Sequence, residues 1–129
     1  MISFDTNILF PALEPSHPHH VRARQFLDGL SAGRAAICEL VLTELCVMVR
    51  NPATARRALG AAEAADLIHT LRINPAWRLV DYPGGLMEGV WRAAGEPGFA
   101  RRRVFDARLG LTLRHHGVTE FATANVKDF

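Results

Sequence analysis

Short apolar runs alternate along this chain with longer stretches whose apolar residues recur at helical spacing. MISF, residues 1–4, has the length and character of a buried strand, and the polar triplet DTN ends it. Apolar character returns in ILFPAL, where Pro11 caps or kinks the segment. PSHPHH reads as a loop. In VRARQFLDGL, Val21, Phe26, Leu27 and Leu30 share an approximate helical face, and Gly33 closes that region. RAAIC is a second short strand. VLTELCVMVR follows as a helix with Leu42, Leu45, Cys46 and Val49 on one side, stopped by Asn51-Pro52.

The second half repeats the pattern. AAEAADLIHTLR is a helix with Glu63 and Asp66 early and Arg72 late, the charge order that complements the helix dipole. WRLVDY is a third strand, GGLMEGVWRAAG a helix closed by Gly95, and RRRVFDARLGLTLRHH a long helix ended by Gly117. VTEFAT is the last strand. Strands and helices alternating in this way predict an α/β layer fold with a mainly parallel sheet. In such sheets ligands bind beyond the carboxyl ends of the strands, so functional residues are expected just after strands or early in the following helices.

Composition adds bounds. The 129 residues, 49% hydrophobic and 22% charged, suit one soluble globular domain spanning 1–129. A formal charge of +2 does not by itself require a nucleic acid partner. Cys38 and Cys46 lie in apolar surroundings without a CxxC and read as reduced core thiols of a cytoplasmic protein. No apolar stretch approaches the ~18 residues of a membrane span, and no secretory leader opens the chain.

Carboxylates pass the position test in separated stretches. Asp5 follows the first strand. Glu44 is expected in the first turn of the helix after the second strand, with Glu39 as its rival by spacing alone. Asp106 lies early in the long helix, and Asn125 and Asp128 follow the last strand. Converging carboxylates raise one another's pKa and repel, a cost that a hard divalent cation removes. No Cys or His cluster has zinc-like spacing, so an oxygen-ligand site for Mg²⁺ or Mn²⁺ fits better. HPHH, with His17, His19 and His20, reads as a loop whose prolines scatter the imidazoles. Arg101, Arg102 and Arg103 oppose the dipole at a helix start, which a nearby anion, either the acid cluster or an RNA phosphate, would offset. Arg50 and Arg78 are further candidates for the border of a substrate groove. Trp77 and Trp91 read as core or interface residues.

The stretches FDTNILFPAL, LTEL with VRNP, RRRVFDARLGLTLRHHGV and EFATANVKDF, taken in this order, resemble PIN-domain ribonucleases of the VapC type, toxins of bacterial toxin–antitoxin pairs. The resemblance spans residues 1–129. It implies a three-layer α/β/α fold around a mainly parallel sheet of four to five strands. It implies an Mg²⁺- or Mn²⁺-dependent endoribonuclease acting on RNA, with tRNA among the candidate substrates. The implied partners are a second copy, forming a homodimer, and a cognate VapB-like antitoxin that enters the active-site groove. Asp5, Glu44 and Asp106 match the family's acids, which favours Glu44 over Glu39. Asn125 stands at a position that is often Asp, with Asp128 one step farther out. Relatives of this type continue into a further edge strand, so this sheet is expected to lack it. The alternative is a degenerate PIN module that binds RNA or an antitoxin without cleavage.

Overall fold

Each apolar run between helices forms a short strand, and a pair of helices links each strand to the next. The computed structural model describes residues 1–124. Strand β1 (Ile2–Phe4) leads through α1 (Thr6–Leu13) and α2 (His20–Asp28) to β2 (Ala35–Cys38). Helices α3 (Glu39–Arg50) and α4 (Ala61–Arg72) lead to β3 (Arg78–Val80). Helices α5 (Leu86–Ala94) and α6 (Arg103–His115) lead to β4 (Glu120–Ala122). The strands pair in parallel in the order β3-β2-β1-β4. This is the parallel α/β sheet that the alternation predicts, with four strands among the described residues.

The chain steps outward from β1 to β2 and β3, then returns to lay β4 on the other side of β1. Right-handed crossovers therefore place α1 to α4 over one face and α5 and α6 over the other. The packing agrees: α1 lies on α2 and α3, and α3 on α4, whereas α5 lies on α6 and α6 on β2. The strand order reverses at β1, and the carboxyl end of a strand at such a reversal is the expected ligand site.

The sheet is anchored by aromatic packing. Phe4, fully buried, meets Phe26 of α2 edge-on at 6.1 Å and Trp77 at 5.4 Å. Trp77 also donates its indole N–H to the Leu71 carbonyl at 2.8 Å, which settles the polar atom of a buried ring. Of the two expectations for Trp91, core or interface, the structure excludes the core. It sits on α5 with 61% of its surface exposed, because the helix turns Val90 inward instead.

ILFPAL, which the apolar pattern leaves unassigned, forms most of α1, with Pro11 inside the helix. DTN ends β1 by starting that helix: Asp5 is extended (φ −88°, ψ 165°) and its side chain caps the Thr6 N–H. Helix α3 begins at Glu39, earlier than the apolar periodicity suggests, because an acid is favoured in the first turn. Glu44 therefore lies in the second turn of α3, not the first. Among the described residues no helix is long and apolar enough to cross a membrane.

Candidate active site

The carboxyl ends of β1 and β4 lie side by side. The Asp5 N–H donates to the Ala122 carbonyl at 2.9 Å, extending the ladder one step beyond the paired strands. This brings Asp5, at the start of α1, against Thr123, at the exit of β4.

The Asp5 carboxylate is held at both oxygens. Oδ1 accepts from the Thr6 N–H at 2.7 Å, and Oδ2 accepts from the Thr123 hydroxyl at 3.1 Å. A carboxylate offers about four lone-pair positions, so among the described residues one on each oxygen is left for a further ligand.

Glu44 is brought in from α3 by the next residue of the same triplet. The Thr6 hydroxyl is buried and lies 3.0 Å from Glu44 Oε2 and 3.3 Å from the Val41 carbonyl. It has a single proton to donate, and the shorter, charge-assisted contact to Glu44 is the stronger. Partial burial of the carboxylate pushes the Glu44 carboxyl above its ordinary value. The Thr6 hydrogen bond acts against that shift, and the negative charges of Asp5 and Asp106 add to it. Much of the Glu44 residue surface remains open to solvent, so this effect belongs to its carboxylate end.

Asp106 is the fourth residue of α6, half-buried, early in the helix as the sequence leads one to expect. The structure thus brings Asp5 and Asp106 within electrostatic range of Glu44. Among the described residues, no three His, Cys, Asp or Glu side chains close into a ready-made ligand group. Mg²⁺ does not require one, because it keeps several waters and takes one or two carboxylates plus substrate oxygens. The all-oxygen donor set and the mutual repulsion felt at Glu44 both fit such an ion. Asn125 and Asp128 lie outside the described residues.

Glu39, the rival of Glu44, is engaged elsewhere: Arg72 Nε donates to its Oε1 at 2.7 Å. Arg101, Arg102 and Arg103 are exposed at the start of α6, three to five residues before Asp106. Arg78 opens β3 at the amino edge of the sheet, away from the acids, and Arg50 ends α3. Neither borders the acid cluster. His17 accepts at Nδ1 from the His19 N–H at 3.0 Å, and His20 Nδ1 meets the Pro11 carbonyl at 2.9 Å. The histidine loop is thus tied up in local contacts. Burial pushes the Cys38 thiol up, which makes it an inert core residue. A cleft between Phe26, Leu30, Arg34 and Glu120 lies at the opposite, amino edge of the sheet and holds none of these acids.

Two residues of the site carry no signal in the sequence pattern. Thr123 reads there only as the end of a strand, and Asn7 only as part of a strand breaker. Each contacts a segment more than a hundred residues away in the chain, which no local pattern reveals.

The chain matches the PIN domain family over residues 2–127. It is 50% identical over 131 residues to ribonuclease VapC24 of Mycobacterium tuberculosis, an alignment covering 100% of this chain and 89% of the relative. Among solved structures, M. tuberculosis VapC20, described as a toxin that cleaves the sarcin-ricin loop, superposes with a TM-score of 0.76 at 16% identity. That match covers 99% of this chain and 92% of the other. A toxin–antitoxin complex from Klebsiella pneumoniae superposes with a TM-score of 0.63 at 22% identity, covering 100% and 90%. These two likenesses are of fold. The family match over nearly the whole length, joined to 50% identity across the full chain, places the protein in the PIN-domain family, among the VapC ribonucleases.

Proposed function

We propose that this protein is a divalent-metal-dependent endoribonuclease, the toxin of a VapBC-type pair, and that Asp5, Glu44 and Asp106 hold the metal. The observation that carries the reading is the approach of separate acids: Thr6, the neighbour of Asp5, holds Glu44 of α3 by a 3.0 Å hydrogen bond to its carboxylate. The Glu44 carboxyl is raised by its own partial burial and by Asp5 and Asp106 together, an arrangement that costs stability unless a cation offsets it. A bound Mg²⁺ or Mn²⁺ would lower the pKa of a coordinated water and neutralise charge on phosphate oxygens.

The chain's own residues supply orientation. Thr6 and Thr123 aim the carboxylates of Glu44 and Asp5. Asn125 and Asp128 complete the donor set in this reading. Arg101, Arg102 and Arg103 attract the RNA backbone from beside Asp106. The substrate is RNA, with tRNA among the candidates. A cognate antitoxin covers the groove, a role supported by the toxin–antitoxin complex among the structural neighbours. The active form is a homodimer.

The test is incubation of the purified chain, free of partner, with total RNA in Mg²⁺ or Mn²⁺, beside EDTA and Asp5→Asn controls. Discrete fragments are expected with metal and none in either control. Cleavage by Asp5→Asn at the wild-type rate would overturn the assignment.

A further inference from the structure

The hydrogen bonds around Asn7 have a direction, and a backbone group fixes it. The Ala124 N–H can only donate, and it donates to Asn7 Oδ1 at 3.0 Å. That sets the amide: Oδ1 faces Ala124, so Nδ2 faces Thr123 and donates to its Oγ1 at 3.1 Å. The Thr123 hydroxyl, now accepting from Asn7, directs its own proton to Asp5 Oδ2 at 3.1 Å. The reverse contact, from the Thr123 hydroxyl to Asn7 Oδ1, is long at 3.5 Å and meets an oxygen already engaged. One chain of donors therefore runs from the backbone of the β4 exit, through Asn7 and Thr123, to Asp5.

We propose that Asn7 and Thr123 are positioning residues that orient the Asp5 carboxylate for cation binding, with Asn7 setting the direction of the Thr123 hydroxyl. This rests on the reading of Asp5 as a metal ligand. With Oδ2 held by Thr123 and Oδ1 by the Thr6 N–H, the carboxylate cannot rotate without breaking a bond at each oxygen. The orientation of the carboxylate plane is then set before any ion arrives. In this reading the triplet DTN has three separate tasks. Asp5 binds, Thr6 holds Glu44, and Asn7 holds Thr123.

Asn and Asp are nearly the same shape, so exchanging them at position 7 separates orientation from charge. The carboxylate of Asn7→Asp still accepts from Ala124 but has nothing to donate to Thr123. The Thr123 hydroxyl can then turn from Asp5 toward the new carboxylate. Added negative charge alone would draw a cation more tightly, whereas a misdirected Asp5 binds it more weakly.

The experiment is calorimetric titration of Mn²⁺ alone into the full chain and into Asn7→Asp, Thr123→Val, Thr123→Ser and Asp5→Asn, with melting in EDTA as the check on folding. Partners that hold a ligand in place typically contribute about 10- to 100-fold in metal affinity. Asn7→Asp and Thr123→Val are expected to bind more weakly by that range, and Thr123→Ser, which keeps the hydroxyl, to stay within about threefold of wild type. Asn7→Asp binding Mn²⁺ as tightly as wild type, or Thr123→Val changing only the melting in EDTA, would overturn the proposal while Asp5→Asn still loses binding. Wild-type affinity in Asp5→Asn would sink the metal assignment itself, and this proposal with it.

Discussion

In the proposed function, Glu44 and Thr6 set activity against stability at a single contact. The Glu44 carboxyl has a folded-state pKa above its ordinary value of 4.5. For an acid shifted in this direction the native state binds more protons than the unfolded one between the two pKa values. The destabilisation is therefore full above the folded pKa, and it is relieved as pH falls toward 4.5. Glu44→Gln keeps an oxygen for the Thr6 hydroxyl and removes the repulsion. In EDTA at pH 7 it should melt slightly higher than wild type, by about one to three degrees, while losing RNA cleavage. The melting advantage should vanish on acidification through the same window, and Mn²⁺ binding by wild type should weaken there as protons compete. A Glu44→Gln variant that melts lower in EDTA at pH 7 would contradict the origin given for the shift.

Helix α6 connects the site to the last strand, and its two ends do different work. Its first turn carries Asp106 behind the exposed arginines. Its far end closes through Gly117, whose φ of 77° lies in the left-handed region that a Cβ disfavours. The Gly117 N–H reaches the Arg114 carbonyl at 3.1 Å, and the Val118 N–H reaches the Leu113 carbonyl at 3.0 Å. This paired capping geometry turns the chain sharply into β4. Nothing crowds Gly117, so Gly117→Ala carries only the backbone cost, about 1–2 kcal/mol. Thermal melting should fall by several degrees with the cleavage pattern unchanged. A neutral Gly117→Ala would show that the turn is not under strain. Helix α1 illustrates the reverse case, in which a short polar triplet opens a helix that apolar periodicity alone did not reveal.

At the scale of the whole molecule, a nearly balanced charge of +2 conceals a segregated pattern. Asp5 lies at the carboxyl edge of β1 and β4, and Arg101, Arg102 and Arg103 lie at the start of α6, three to five residues before Asp106. Cleavage of RNA should therefore fall with ionic strength, because the arginines contribute by displacing counterions from phosphates. Replacing all three by Ala should flatten the dependence of binding on log salt, by about 0.7 for each phosphate of single-stranded RNA that is no longer neutralised. Nitrocellulose binding of RNA across a salt series, in Ca²⁺ to suppress cleavage, measures that slope. An unchanged slope would move the RNA path away from α6.

The sequence by itself determined the architecture and singled out three acids as candidates. Periodicity distinguishes short apolar strands from amphipathic helices, and their alternation admits few sheets other than a parallel one. Asp5, Glu44 and Asp106 were legible because each falls just after a strand or within the helix that joins two strands. The family resemblance chose Glu44 over Glu39, and the pairing of Glu39 with Arg72 accounts for the other acid. Tertiary structure alone decided how those acids are held. Thr6, Asn7 and Thr123 are ordinary polar residues in a local window, and their roles arise only when β4 lies against β1 and α3 against α1. A hydrogen bond between Asn7 and Thr123 spans 116 positions of the chain. Its direction is set by a backbone N–H that exists as a donor at that place only in the folded molecule.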